Sequence, residues 1–228
     1  MTLPQPVVNT IRVLSVNVGL SRQVFSDGQP VATGIYKSPV QGRVKVTRLN
    51  LEGDGQADLS VHGGPNKAVY AYPSEHYAWW QSKLPSVEMP WGMFGENLTL
   101  QGLLEDEAHI GDCFQMGTAI LMVTQPRLPC YKLGIRFGRA DMPEQFLFSR
   151  RTGFYFAVAR EGELSKGDVI QRIQRDPNQV SVSDILHLCY GDGHQDAQLV
   201  ERALNVEALS PGWRKRVIKR VQESQARG

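Results

Sequence analysis

The chain has few cysteines, little net charge and no long apolar run, and each shortage excludes something. Cys113, Cys130 and Cys189 are the only cysteines in 228 residues. An odd count without CxxC pairing argues against a disulfide framework and against a zinc site. A formal charge of +2 is too small by itself to argue for nucleic acid or an anionic membrane. No apolar stretch approaches the ~20 residues of a bilayer span. Met1 to Thr10 lacks a basic start followed by an apolar core, so no secretory signal is expected, and free thiols in a reducing cytoplasm fit best. There is no P-loop, no GxGxxG turn and no Ser-His-Asp elbow, and no flavin, haem or iron–sulfur motif. Internal repeats and low-complexity segments are also missing.

What is present is a series of short strand patterns followed by a helical tail. Ile11 to Val18 is β-branched, and Gly42 to Leu49 alternates charged and apolar positions. Val69 to Tyr72 stops at Pro73, and Ser74 then reads as the cap of a helix ending near Leu84. Asn97 to Leu100, His109 to Met116, Thr118 to Thr124, Phe154 to Arg160 and Val169 to Arg175 read as further strands, with a short helix from Cys130 to Phe137. Many short strands and few long helices predict a mainly β domain, closed or strongly curved into a barrel, over residues 1–175. From residue 176 the pattern becomes helical: Asp184 to Tyr190 behind Ser181 or Ser183, then Gln195 to Leu204, then Gly212 to Gln222 behind Ser210-Pro211. A three-helix unit over residues 176–228 is small enough to need docking for stability. Its last helix carries Arg214, Lys215, Arg216, Lys219 and Arg220, which read as a solvated face or, as an alternative, a nucleic-acid grip.

Three segments carry chemistry. In Val61-His62-Gly63-Gly64-Pro65-Asn66-Lys67 the glycines allow close backbone approach to a ligand, Lys67 adds charge, and His62 can move protons. In Trp91 to Leu100 two glycines precede Glu96, which reads as an acid/base or a surface carboxylate, and Asn97, whose amide suits a heterocycle edge. In Pro126-Arg127-Leu128-Pro129-Cys130-Tyr131-Lys132 two prolines and two cations surround one thiol. Such cations lower a neighbouring thiol's pKa if they point at it, and a thiolate suits a soft metal or, given a base, nucleophilic catalysis. Cys113 and Cys189 sit on apolar patterns and read as structural thiols.

Together, VHGGPNKAVYAYP, WGMFGENLTL, IGDCFQMGTAILMVTQPRLPCYKLGIRFG and RTGFYFAV resemble the MOSC domain, named for the C-terminal domain of molybdenum cofactor sulfurase. The likeness is nearest to stand-alone bacterial YiiM-type proteins, whose three-helix extension the tail also resembles. The resemblance implies a MOSC-type β-barrel that binds molybdenum cofactor. Cys130 falls on the family's thiol, as metal ligand or persulfide carrier. His62, Gly63, Gly64, Lys67, Asn97, Arg127 and Lys132 fall where the family lines its pocket, and Arg151 falls where a cofactor phosphate would lie. Asn66 stands where many relatives have Asp. A family-level label of pyridoxal phosphate binding comes with the resemblance, but no residue above carries it.

The implied function is reduction of N-hydroxylated bases or analogues of the 6-N-hydroxylaminopurine type. Reducing N–OH to N–H takes two electrons, which no side chain supplies cyclically. With no redox motif of its own, the chain would draw them from a separate reductase. His62 is the favoured proton donor. The alternatives are a sulfur or cofactor carrier acting through a Cys130 persulfide, and a nucleic-acid-binding tail. A homodimer is left open.

Overall fold

The computed structural model describes residues 10–55 and 63–226; segment 56–62, which includes His62, lies outside the described residues, as do the extreme termini. The strands are β1 (Arg12–Val18), β2 (Arg22–Ser26), β3 (Gln29–Thr33), β4 (Ser38–Pro39), β5 (Val44–Val46), β6 (Val69–Pro73), β7 (Leu98–Gln101), β8 (Cys113–Met116), β9 (Ala119–Pro126), β10 (Phe154–Arg160), β11 (Gly162–Leu164) and β12 (Ile170–Gln174). The helices are α1 (Glu75–Lys83), α2 (Tyr131–Phe137), α3 (Met142–Phe148), α4 (Val182–Tyr190), α5 (Ala197–Asn205) and α6 (Pro211–Gln225).

One large sheet runs in the order β12-β8-β9-β10-β6-β7-β1-β4. Its neighbours are antiparallel except β6 and β7, which pair in parallel. A parallel pair needs a crossover, and α1 with the loop after it supplies that return path. Small ladders join β5 to β11 and β2 to β3. The second is a hairpin turning on Asp27-Gly28, a dipeptide suited to both residues having positive φ.

The large sheet bends until β1 meets the segment leading into β12. Val13 N–H donates to Asp168 O at 3.0 Å, and Arg12 and Val169 form an isolated bridge. Gly167 N–H returns a bond to Val13 O at 2.8 Å and Ile170 N–H donates to Ile11 O at 2.9 Å. The expected mainly β domain, closed or strongly curved into a barrel, is thus a mixed α/β fold built on one large curved sheet. Between β11 and β12, Ser165 to Asp168 form a turn stapled by the Asp168 carboxylate, which accepts from Ser165 N–H at 2.9 Å and Ser165 Oγ at 3.2 Å.

The strand β6 shows how the core is divided. It is buried along its whole length, Val69 and Ala71 packing into an aliphatic cluster and Tyr70 and Tyr72 into an aromatic one. The aromatic cluster binds α1, α2 and α3 to the sheet through Trp80, Phe137 and Phe146. Helix α3 was not anticipated, although Asp141 before Met142-Pro143 fits a helix start with Pro in the first turn.

The helical tail docks on its own sheet. Ser181 and Asp184 form a capping box at the start of α4, and β-type bonds tie Val180 O to Ile110 N–H and Val182 N–H to Ala108 O. Ile185, Leu186, Leu199, Val206, Trp213 and Val217 join the aliphatic cluster. Each buried side chain of this kind contributes roughly 1.5–3 kcal/mol, which answers the small-unit problem posed by the tail's length. Arg150 reinforces the joint by donating to Leu186 O and Tyr190 O, both at 2.7 Å, at the C-terminal end of α4. Arg150→Ala is expected to cost about 1.5–3 kcal/mol, the range for charge-assisted hydrogen bonds. A urea titration following Trp213 fluorescence would check this, and an unchanged midpoint would show that the cap is idle. The basic residues of α6 are dispersed: Arg214 donates to Leu204 O and to Val206 O, capping α5, and Lys219 pairs with Glu223.

Candidate functional site

The short helix α2 places the thiol. Cys130 occupies its N-cap position in extended backbone, with no side-chain cap bond, and Gly138 ends the helix in left-handed conformation. Cys130 is half-buried, whereas Cys113 is buried. Cys189 is also half-buried, with its thiol pushed up to about 11 by burial, which suits the structural role expected of it.

Two clefts meet at Cys130. The first is a partly open cleft of about 100 Å3. Its walls are the end of the β2–β3 hairpin with Ile35 and Lys37, Asp54, the 3₁₀ turn carrying Lys67, then Tyr70 and Asn97, then Arg127, Cys130 and Lys132, and Tyr155 on β10. The second, also partly open, is the larger at about 500 Å3. It runs from Gly63-Gly64 past Gln125 and Pro129 to the start of α6, with Trp213 and Arg216 on its far side. The tail thus forms part of the site, which nothing in the separate sequence segments revealed.

Of the residues expected at the site, Gly63, Gly64, Lys67, Asn97, Arg127, Cys130 and Lys132 all line one cleft or both. His62 lies outside the described residues. Arg151 lines neither cleft: its guanidinium stacks 4.4 Å from the Trp79 ring centroid and donates to Ser149 O at 3.1 Å. Among the described residues no histidine lines either cleft.

Arg127 is buried inside an aromatic box, its guanidinium 4.7 Å from the Tyr70 centroid and 5.2 Å from that of Phe146. Burial opposes its charge, but the phenols of Tyr70 and Tyr155 and the thiol of Cys130 more than offset this and raise its pKa. Its Nη1 has no hydrogen-bond partner among the described residues. Buried donors are rarely left unmade. Lys67, nearby, has its pKa lowered by burial and then by the charge of Arg216. Three basic side chains, Lys67, Arg127 and Lys132, thus line the same cleft as the Cys130 thiol.

A polar network supports the floor of the first cleft. Asp54 accepts from the Lys37 ammonium, from Gly19 N–H at 3.0 Å and from Asn97 Nδ2 at 2.8 Å. Asn97 Oδ1 accepts from Tyr70 N–H at 3.0 Å, so both ends of the amide are engaged within the fold and position Asp54 and β6. Glu96 is neither an exposed acid/base nor a surface carboxylate. It is fully buried and accepts from Gly92 N–H at 2.8 Å, Phe94 N–H at 3.1 Å, Thr99 Oγ1 at 2.8 Å and the Tyr77 hydroxyl. Burial raises its pKa, with these donors pulling the other way. The glycines before it serve close packing: at Gly95, with φ of 79°, a Cβ would meet Ile35 Cγ1 at 2.7 Å, and at Gly92 one would meet Lys37 O at 2.9 Å.

Lys37, Asp54, Tyr155 and Arg216 were not singled out in the sequence as site residues. Asp27-Gly28 carried a hairpin signal that would have brought Lys37 nearer to attention; Asp54 and Tyr155 carried none beyond their residue type. Among the described residues no group of three or more His, Cys, Asp or Glu is placed to hold a metal ion, and no helix is long and apolar enough to cross a membrane.

The chain is similar to known proteins in sequence and in fold. A MOSC domain model matches residues 58–171, and a model of the YiiM-like, 3-alpha helix domain matches residues 180–223. The uncharacterized protein YflK of Bacillus subtilis (strain 168) is 42% identical over 208 residues, covering 91% of this chain and 93% of its own length. A protein of Gibberella moniliformis named a reductase is 30% identical over 187 residues, covering 81% of this chain and 33% of its own length. The crystal structure of YiiM from Geobacillus stearothermophilus matches with a TM-score of 0.76 and 33% identity, covering 92% of this chain and 99% of that one.

Proposed function

We propose that this chain, which belongs to the MOSC-domain family and carries the YiiM-like three-helix extension, is a molybdenum-cofactor-dependent reductase of small N-hydroxylated bases or their analogues. The observation that carries the reading is the half-buried Cys130 at the meeting of two clefts, beside Lys67, Arg127 and Lys132. The fungal relative named a reductase supports the reaction class.

The residues fit the cofactor. Arg127 Nη1 is a buried donor without a partner among the described residues, beside a half-exposed thiol. An anionic or carbonyl-bearing ligand would satisfy it. Cys130 would ligate the metal as thiolate, and Lys67, Arg127 and Lys132 would hold anionic groups. When bound, the cofactor would supply two-electron redox chemistry that no side chain supplies cyclically. The chain's own part is to orient, to keep charge balanced and to deliver protons. Lys37, Asp54 and Asn97 hold the floor of the first cleft in place. The second cleft, reaching the tail, leaves room for substrate. Electrons come from a separate reductase.

The test is metal analysis of protein made in cells able and unable to produce molybdenum cofactor, paired with an assay of 6-N-hydroxylaminopurine and a chemical reductant. Stoichiometric molybdenum and reduction to the amine are expected in the first preparation alone. A Cys130 adduct of one sulfur mass without molybdenum would identify a sulfur carrier instead.

A further inference from the structure

Among the described residues three line both clefts: Lys67, Cys130 and Tyr155. Two have roles above. Tyr155 has none, and its placement is specific. On β10 its neighbours Phe154 and Phe156 are fully buried in the aliphatic core, so alternation turns Tyr155 to the opposite face. The pairing of β10 with β9 shifts register between Tyr155, opposite Gln125, and Phe156, opposite Val123, leaving Thr124 as the bulged residue. Thr124 Oγ1 donates to Tyr155 O at 3.1 Å. A bulge re-aims the side chains beside it. The Tyr155 ring rests on Tyr70, with centroids 5.3 Å apart. Its side chain lines the same two clefts as Cys130.

We propose that Tyr155 is a catalytic residue: its hydroxyl hydrogen-bonds the oxygen of the substrate N–OH group and hands that oxygen a proton as the N–O bond breaks. The inference rests on the reductase reading above. Two electrons arrive from the separate reductase, two protons are consumed, the N–O bond breaks, and an N–H and an O–H bond form as water leaves. Tyr155 supplies the oxygen's proton and regains one from water in the second cleft; the nitrogen's proton comes from solvent. Arg127 stabilises the transient phenolate. Lys67 is a poorer donor here because its charge serves the anionic ligand.

Tyr155→Phe in the cofactor-loaded protein tests this. Turnover should fall roughly 10²–10⁴-fold, the span for a positioned acid, with molybdenum content and melting temperature unchanged. Without reductant, the Kd for 6-N-hydroxylaminopurine should weaken about 5–10-fold, as for one lost hydrogen bond, while that for adenine holds. Turnover within about threefold of wild type would overturn the proposal, as would an equal loss of affinity for both ligands. An active wild type with an equally active variant sinks Tyr155 alone. A wild type without molybdenum or activity sinks the reductase reading and Tyr155 with it.

Discussion

Cys130→Ala is expected to lower N-hydroxy reduction by roughly 10³-fold or more, about 4 kcal/mol in activation free energy, while leaving the fold in place. The thiol makes no cap bond to α2, and the backbone bond that opens the helix, from Leu133 N–H to Cys130 O at 2.9 Å, does not depend on the side chain. Unfolding free energy should therefore change by less than ~1 kcal/mol. Steady-state kinetics and molybdenum analysis of the same preparation give the answer together. Loss of both metal and turnover places Cys130 on the metal. Full turnover would end the functional reading, because no other cysteine among the described residues lines either cleft.

Asp54→Ala should be the most destabilising change in the site, at about 3–5 kcal/mol, because removing one partner of a buried pair strands the other charge. The side chains of Lys37 and Asp54 are only 8% and 2% exposed. Asp54 also holds Gly19 N–H and Asn97 Nδ2, so the cleft floor loosens with it. The pH dependence gives a second check. Burial lowers the Lys37 pKa, and Asp54 is the main group raising it again. Without Asp54 that pKa drops further below 10.5, the ordinary value kept by the unfolded chain. Between the two values the unfolded chain binds more protons, so stability rises with pH there. The deficit of Asp54→Ala relative to wild type should accordingly shrink from neutral pH toward pH ~10. Urea titrations across that range decide it, and a pH-independent deficit would mean that Lys37 is not the stranded charge. Adding Lys37→Met to Asp54→Ala should recover part of the loss, since an apolar side chain needs no partner.

Much of the secondary structure was legible because it depends on near neighbours. The Ser181–Asp184 capping box, Gly138 after α2 and Pro211 at the first turn of α6 are local devices, and their elements lie close to where pattern reading puts them. Strands at β1, β6, β7, β9, β10 and β12 follow their β-branched and aromatic runs to within a few residues. The His109 to Met116 pattern yielded only β8, Cys113–Met116, since Ile110 and Asp112 bond to the tail and to β9 across loop geometry. Side-chain roles were less legible. Glu96 and Asn97 have the chemistry of ligand-binding groups, but their oxygens and nitrogens are taken by Tyr77, Thr99, Tyr70 and Asp54, partners 3 to 43 residues away. Arg151 looks like a phosphate contact in Arg-Thr-Gly, yet it lies over Trp79.

The amino-acid order by itself determined the family, the small number of thiols, the proline-framed Cys130 and the helical character of the tail, because these depend on residue type and short spacing. The tertiary structure decided which of the polar residues line the two clefts. It brought Lys37 to Asp54, placed Tyr155 beside a bulge in the lining of the clefts that Cys130 shares, and set Arg216 of the tail across from Lys67. Those pairings depend on strand register and helix docking, which the packing of the whole core fixes and no local stretch of sequence does.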